Sequence, residues 1–269
     1  MNTKPSMTRR FLDSREVFTL DEFMTAVDPG VSERTRETNL RNAVKRGEAR
    51  RIARGLYISN VGVFRDKTPN VLLVASKAAP DSVLAYHAAL EALGVAHTPA
   101  RTICFLSART VTPFTVRGYR FRRVTIKADR LSPSVATTYV TDVRVGGALV
   151  RATTRERTVV DCLARLDLAD GLEELLRSVG SFSTMESEHV ARYSASLGSP
   201  TLVARAGWLL DLMADDWLCD PAPLHEMRRS LGRGTYWLQR RRPGVEYKFV
   251  SAWRLYVPAG LPYLDWLRA

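Results

Sequence analysis

The sequence predicts an α+β fold in two parts, and three observations support it. Residues 19–46 contain two helical patterns separated by the turn sequence DPG. An arginine-rich segment with the alternation of a β-hairpin follows at 47–58. Beyond it, helical patterns and short apolar strands are mixed, which indicates a larger α/β domain. We therefore predict a winged helix-turn-helix at 1–66 and a mixed α/β domain at 67–269, with a possible subdivision near 180–200.

The N-terminal helices carry their own start signals. A short lead helix is predicted at 4–15. Thr19 and Glu22 have the spacing of a capping box, in which each side chain accepts a hydrogen bond from the other residue's backbone N–H. Ser32 is the predicted N-cap of the next helix, at about 33–46.

That next helix separates a narrow apolar face from a wide polar one. Leu40 and Val44 share the apolar face at about 100° per residue. Arginine and asparagine on the opposite face suit the major groove of DNA, where arginine pairs with guanine and asparagine with adenine. An ordinary solvated helix surface is the alternative. The residues predicted to contact bases or phosphates are Arg34, Thr35, Thr38, Arg41, Asn42 and Lys45.

A basic hairpin is predicted to follow as the wing. Gly47 suits a left-handed helix end, and apolar residues then alternate with polar ones up to Ile58. Eight Lys/Arg and two acidic residues lie between Arg34 and Arg54, which predicts DNA affinity that falls steeply with salt. The predicted wing contacts are Arg50, Arg51 and Arg54.

The mixed domain is predicted from its start signals and apolar patterns. Asp81 is expected to cap a helix that ends at Gly94, and Thr153 with Glu156 is expected to form a second capping box. Arg155 and Arg157 then lie in the first helical turn, where cations oppose the helix dipole, so pairing with Glu156 or Asp161 is predicted. The other predicted helices are 71–79, 168–179, 185–197 and 202–217, and the predicted strands are 103–107, 119–126, 146–153, 235–239 and 245–258.

Composition restricts the partners and the chemistry. A net charge of +12 favours a polyanionic partner, although a basic protein without one is the alternative. Cys104, Cys162 and Cys219 are far apart and predict no disulfide framework. The four histidines lack metal-ligand spacing, and we expect no metal, no cofactor and no catalysis. No signal peptide or membrane span of roughly 18 apolar residues is present, so a cytoplasmic location is expected.

The chain resembles the AbiEi family, the antitoxins of AbiE abortive-infection (phage-defence) toxin–antitoxin systems. Three segments carry the resemblance: the winged-helix stretch that ends in RRIARGLYIS, the helix AYHAALEALGVAHT at 85–98, and RATTRERTVVDCLARLDLADGLEELL at 151–176. The resemblance implies a transcriptional autorepressor that binds inverted repeats in its own promoter. It also implies an antitoxin domain at 67–269 that neutralises a nucleotidyltransferase-type toxin, directly or indirectly. Because inverted repeats need two readers, two protomers are expected on one operator.

Two further basic segments have open roles. Residues 101–130 and 228–254 each hold eight Lys/Arg and one acidic residue. They are extra DNA contacts, a dock for the toxin, or strand edges that charge protects from aggregation. The residues singled out for contact with toxin or DNA are Arg120, Arg122, Arg123, Arg240, Arg241 and Arg242.

Two other functions compete with the antitoxin hypothesis. One is a plain winged-helix regulator without antitoxin activity. The other is a winged-helix protein with a metal-dependent nuclease tail, since Asp220, Glu246 and Lys248 resemble an acid–acid–lysine arrangement.

Overall fold

A computed structural model describes residues 6–125 and 138–260 of the chain. Helices and strands are mixed throughout, which confirms the α+β prediction. The described residues belong to two compact units. The first unit lies within Met1–Val83, Arg101–Thr125 and Arg144–Val150, and the second within Leu84–Ala100, Ile126–Val143 and Arg151–Ala269. The domain boundary between residues 66 and 67 stays a prediction.

The N-terminus of the first unit has the element order of a winged helix. A three-stranded antiparallel sheet, in the order β1-β3-β2, closes against three helices. Phe11, Phe18 and Phe23 are buried among them, and the Phe11 ring meets the other two edge-on with centroids 5.1 and 5.3 Å apart. The elements are α1 (Met7–Ser14), β1 (Val17–Thr19), α2 (Leu20–Ala26), α3 (Glu33–Lys45), β2 (Ala49–Ala53) and β3 (Leu56–Ser59).

The predicted caps of these helices are confirmed. The Glu22 backbone N–H donates to Thr19 Oγ1 at 3.1 Å, and the Thr19 N–H donates to Glu22 Oε2 at 2.8 Å. Ser32 Oγ accepts a hydrogen bond from the backbone N–H of Thr35 at the start of α3. At the end of α3, Gly47 has a φ of 73°, and the Glu48 N–H donates to the Ala43 carbonyl at 2.9 Å. This left-handed cap turns the chain directly into β2.

The remainder of the first unit contains helix α4 (Val71–Ser76) and a second sheet. Strands β5 (Thr102–Ser107) and β7 (Tyr119–Thr125) are parallel neighbours, and β6 (Phe114–Val116) pairs antiparallel with the free edge of β7. The predicted strands 103–107 and 119–126 are confirmed over their described residues. Strand β6 was not predicted; its edge lies beside β2 of the winged helix.

Helices dominate the second unit, with α9 (Pro200–Leu212) at the centre of four of them. This helix packs against α6 (Arg155–Ala164), α8 (Ser187–Ser196) and α10 (Pro221–Ser230). Its Gly207 allows the buried Trp253 ring to approach so closely that a Cβ would lie 2.1 Å from the ring. The remaining elements of the chain, among which β4, β8 and β9 include residues of both units, are β4 (Val83–Leu84), α5 (His87–Ala92), β8 (Val140–Val145), β9 (Ala148–Thr153), α6 (Arg155–Ala164), α7 (Leu172–Val179), α8 (Ser187–Ser196), α9 (Pro200–Leu212), α10 (Pro221–Ser230), β10 (Tyr236–Trp237), β11 (Tyr247–Val250) and β12 (Leu255–Pro258).

Two predicted helix starts were wrong. Asp81 caps no helix: its carboxylate accepts hydrogen bonds from Ser107 Oγ at 2.6 Å and from the Ala108 N–H at 2.8 Å, and the helix begins at His87. The second capping box does not form either. Strand β9 extends to Thr153, so Thr154 is the N-cap of α6 and Thr153 Oγ1 instead lies 2.6 Å from Thr158 Oγ1.

The predicted strand 245–258 is two strands. A 3₁₀ turn at Ser251–Trp253 and the left-handed Arg254, with a φ of 49°, reverse the chain between β11 and β12. Strand β12 is central in a three-stranded sheet, antiparallel to β11 and parallel to β10.

A buried ionic network lies in the second unit. Arg157, only 2% exposed, places Nε 3.2 Å from Asp161 Oδ2 and donates from Nη1 to the Thr138 carbonyl at 2.8 Å. Tyr193 Oη donates to Asp161 Oδ1 at 2.8 Å. Burial raises the pKa of Asp161, and the attraction of Arg157 offsets this only in part. With Arg155 paired to Glu156 at 2.7 Å, the predicted pairing of both arginines is confirmed.

A second buried carboxylate holds a loop of the second unit. Glu174 accepts hydrogen bonds from the Thr98 hydroxyl at 2.7 Å and from the His97 N–H at 3.0 Å, and its Oε1 lies 3.2 Å from His87 Nε2. Burial lowers the pKa of His87, but the Glu91 and Glu174 carboxylates outweigh it and raise that pKa overall. His87 is thus a core histidine with acidic neighbours.

Candidate nucleic-acid interface

The predicted recognition face of α3 is exposed over its whole length. Leu40 and Ala43, on the opposite side, are buried in the core of the winged helix. This burial orients the helix, because the apolar stripe leaves only one rotation about its axis. The side chains that consequently face solvent are those of Arg34, Thr35, Thr38, Arg41, Asn42 and Lys45.

Most cationic side chains of this face have no partner among residues 6–125 and 138–260. Within these ranges the side chains of Arg34, Arg41 and Lys45 on α3, and of Arg50 and Arg54 on the hairpin, make no hydrogen bond or ion pair. Placing five such cations together is unfavourable unless an anion neutralises them. Phosphate oxygens are anionic, and the guanine edge carries hydrogen-bond acceptors, so both suit guanidinium donors.

Two cations that the sequence count included are already engaged. Arg36 donates from Nη1 to the Met24 carbonyl at 2.6 Å, which ties α3 to the end of α2. Arg46 is paired with Glu48 at 2.8 Å. Fewer of the eight cations are therefore available to bind a ligand than the sequence count suggested.

Three of the predicted contact residues are positioned by local hydrogen bonds. Thr35 Oγ1 lies 2.9 Å from Ser32 Oγ, and Thr38 Oγ1 donates to the Arg34 carbonyl at 2.8 Å. Arg51 Nε donates to the Ala53 carbonyl at 3.2 Å, while the side chain remains exposed. These bonds fix side-chain direction, and each group keeps acceptor or donor capacity for a ligand.

Helix α3 and the β2–β3 hairpin line a common groove of about 350 Å³. Arg41 from α3 and Arg51 from β2 are among its lining residues, and Glu37 is the acid among them. The other lining residues are apolar or aromatic: Leu20, Leu40, Val44 and Tyr57. Helix and hairpin thus each contribute one arginine to the same groove.

The second basic segment divides into exposed and engaged residues. Along β7, Arg120 and Arg122 are exposed, while Phe121 between them is buried. Arg123 is half-buried and donates to the Ser107 carbonyl at 3.4 Å. Because β6 lies beside β2, the β6–β7 hairpin adjoins the wing. Two cations of the segment, Lys127 and Arg130, fall outside the described residues.

The third basic segment lies in the second unit. Arg240, Arg241 and Arg242 are exposed on the loop between β10 and β11, and the Arg241 guanidinium lies 6.0 Å from the centroid of the Trp237 ring. Other members of the segment are engaged: Arg228 pairs with Asp211 at 2.6 Å, and Arg254 donates to the Gly234 carbonyl at 2.7 Å.

Two residues of the nuclease alternative, Asp220 and Lys248, lie at a helix N-terminus and on a strand. Asp220 is the N-cap of α10 and accepts a hydrogen bond from the Ala222 N–H at 2.9 Å. Lys248 lies opposite Val257 in the β11–β12 ladder. Within 6–125 and 138–260, no three His, Cys, Asp or Glu side chains form a group that could hold a metal ion. In the same ranges no helix is both long and apolar enough to span a membrane.

Comparison with known proteins agrees with the winged-helix assignment. Residues 7–60 match the model of a family described as "Transcriptional regulator, AbiEi antitoxin". The crystal structure of the RV2827C protein from Mycobacterium tuberculosis is similar over 98% of this chain and 94% of that chain, with a TM-score of 0.57 and 16% identity, which shows a shared fold. The curated proteins include no match to this chain. Residues 7–60 are therefore similar to the AbiEi antitoxin and transcriptional-regulator family, and the resemblance is confirmed over that segment.

Proposed function

We propose that this protein is an antitoxin and autorepressor that binds inverted repeats in its own promoter. The observation that supports DNA binding is the set of exposed cations on α3 and the β2–β3 hairpin, most of which have no side-chain partner in the part of the chain that the structure describes. The winged-helix match supports the regulatory half of the proposal. The antitoxin half rests on the family type and is assigned to residues 67–269.

In this proposal α3 enters the major groove and the hairpin contacts the adjoining backbone. Arg41 and Asn42 have the donor and acceptor groups that distinguish guanine and adenine there. Arg50, Arg51 and Arg54 bind phosphates and fix the register, without reading sequence themselves. Two protomers occupy the two half-sites, about 34–36 Å or a multiple apart, and so exclude polymerase from the promoter.

The β6–β7 hairpin extends this surface. Arg120 and Arg122 are exposed on a strand whose neighbour lies beside the wing, and they suit phosphates that flank the half-site. This position favours DNA over the toxin as their partner. The half-buried Arg123, which already donates to the Ser107 carbonyl, is assigned a structural role instead.

The antitoxin half predicts rescue from a nucleotidyltransferase-type toxin encoded next to this gene. The toxin is expressed from a foreign inducible promoter, so that autorepression contributes nothing to the result. We expect the full chain to restore growth, and the full chain carrying Arg41→Ala and Asn42→Ala to restore it equally, because antitoxicity is assigned outside the reader.

The result of this growth assay separates the competing functions. Absence of rescue by the unaltered chain, with its expression verified, contradicts the antitoxin half and leaves a plain winged-helix regulator. Rescue that disappears in the Arg41→Ala, Asn42→Ala variant contradicts the assignment of antitoxicity to residues 67–269.

A further inference from the structure

Three aromatic rings form a row across the small sheet of the second unit. In the register of that sheet, Tyr256 on central strand β12 is paired with Trp237 on β10 and with Phe249 on β11. Paired residues of neighbouring strands project from the same face. The Trp237 and Tyr256 rings stack with centroids 4.5 Å apart, and the centroid of the Phe249 ring lies 5.0 Å from that of Tyr256.

The two faces of this sheet differ in burial. Leu255 and Val257, which alternate with Tyr256 along β12, are buried on the side that packs against α9. On the other side Phe249 is 43% exposed, and Trp237 and Tyr256 are half-buried. Among the described residues, neither Trp237 Nε1 nor Tyr256 Oη makes a hydrogen bond.

Cations border the aromatic row. The loop with Arg240, Arg241 and Arg242 is anchored beside it, since the Arg242 backbone N–H donates to Tyr247 Oη at 3.0 Å. The Tyr247 ring contacts Trp237 edge-on at 5.0 Å. Within the described ranges none of these three arginines has an ion-pair partner, and Glu246 is the one acid of the loop. The row and its border therefore combine aromatic rings with unneutralised positive charge.

We propose that this face binds a single-stranded nucleic acid. A base stacks on the exposed Phe249 ring and so continues the row, while the arginine loop contacts phosphates. Exposed rings on a sheet with basic neighbours are the combination that single strands require, because their bases are free to stack and their phosphates need cations. A duplex hides its base faces, so this surface differs in ligand from α3 and the wing. The charge favours a polyanion over a protein partner.

The test uses the full chain carrying Arg41→Ala and Asn42→Ala, which removes specific duplex reading. Binding to fluorescein-labelled oligothymidylate and oligouridylate of about 12 nucleotides, and to a duplex of equal length, is measured by anisotropy. We expect this Arg41→Ala, Asn42→Ala protein, which is the parent for the further substitutions, to bind the single strands more tightly than the duplex. Phe249→Ala should weaken single-strand binding about 5- to 160-fold, because one stacked base is lost. The two oligonucleotides distinguish DNA from RNA as the better ligand.

Two matched variants complete the design. Leu218→Ala removes a 79% exposed apolar side chain elsewhere in the second unit and should leave binding unchanged. Arg241→Ala with Arg242→Ala should lower the salt dependence by about 0.7 in slope for each lost phosphate contact. Thermal melting verifies that Phe249→Ala is folded, as expected for a side chain exposed on an edge strand.

Three results would overturn the proposal. They are absence of single-strand binding by the parent, equal binding by the parent and by Phe249→Ala, and an equal loss in Leu218→Ala. Absence of single-strand binding would indicate that a protein partner or another part of this chain covers the face. Equal binding by Phe249→Ala would indicate that charge alone, without stacking, holds the oligonucleotide. Operator binding by the unaltered chain is a separate measurement. The single-strand proposal can therefore be contradicted while the operator-binding proposal stands, and the reverse.

Discussion

Replacing Arg41 and Asn42 together by alanine is expected to lower affinity for the operon promoter by about two to three orders of magnitude. Each bidentate base contact contributes roughly 1–3 kcal/mol of discrimination, and this variant removes two of them. Both side chains are exposed and make no side-chain hydrogen bond within the described residues, so stability should be unaffected. Binding is measured by equilibrium anisotropy on promoter and scrambled duplexes at one fixed salt concentration.

The double substitution Arg120→Ala, Arg122→Ala is the comparison for this loss of promoter affinity. These side chains are assigned to phosphates, so affinity should fall alike for promoter and scrambled DNA, and the salt slope should decrease by about 0.9 per contact. The helix variant should instead bring the promoter affinity down to that of scrambled DNA. Unchanged promoter preference in the Arg41→Ala, Asn42→Ala protein would place sequence reading outside α3.

Replacing Arg157 by alanine is expected to cost about 3–5 kcal/mol of the free energy of unfolding. The substitution leaves Asp161 in the interior without its cation, and an uncompensated buried charge is strongly destabilising. It also removes the donor to the Thr138 carbonyl and the guanidinium that lies 5.5 Å from the Tyr193 ring centroid. Urea denaturation followed by tryptophan fluorescence measures the loss, since all five tryptophans lie after residue 207.

Two variants test whether burial is the cause of that loss. Arg192→Ala breaks an exposed pair with Glu188 in the same unit and should leave the denaturation midpoint nearly unchanged. Arg157→Met with Asp161→Leu removes both charges and should recover most of the stability, because no lone charge remains buried. A small effect of Arg157→Ala, comparable with that of Arg192→Ala, would contradict a structural role for the network.

The winged helix could be predicted because its signals are local. The Thr19–Glu22 capping box, the Ser32 cap and the Gly47 helix end each depend on residues within about four positions of one another. The apolar stripe of α3 is equally local, so the exposed face followed directly from periodicity.

Features that depend on distant residues could not be predicted in the same way. Asp81 looked like a helix cap because nothing nearby shows that Ser107, which lies 26 positions later, donates to its carboxylate. Similarly, the approach of β6 to β2 and the pairing of Phe249 with Tyr256 depend on how separate strands meet. The alternation of Tyr247 and Phe249 with other residues was the one local signal of an aromatic face.

Charge counts were the least reliable part of the site prediction. The sequence treats all cations alike, whereas the structure shows that Arg36, Arg46 and Arg123 already donate to carbonyl or carboxylate groups. The exposure of each cation and its contacts among the described residues, not the total count, therefore determine which cations we assign to the proposed DNA surface.

Methylation protection of the promoter by dimethyl sulfate tests major-groove reading by α3 most directly, because the reagent modifies guanine N7 in that groove. The unaltered protein is predicted to protect guanines in both halves of an inverted repeat. Protection should disappear in the Arg41→Ala, Asn42→Ala variant at concentrations where it still occupies the DNA. Bound wild-type protein that leaves every guanine N7 accessible, or a variant that protects the same guanines, would contradict the assignment of α3 as the reading helix.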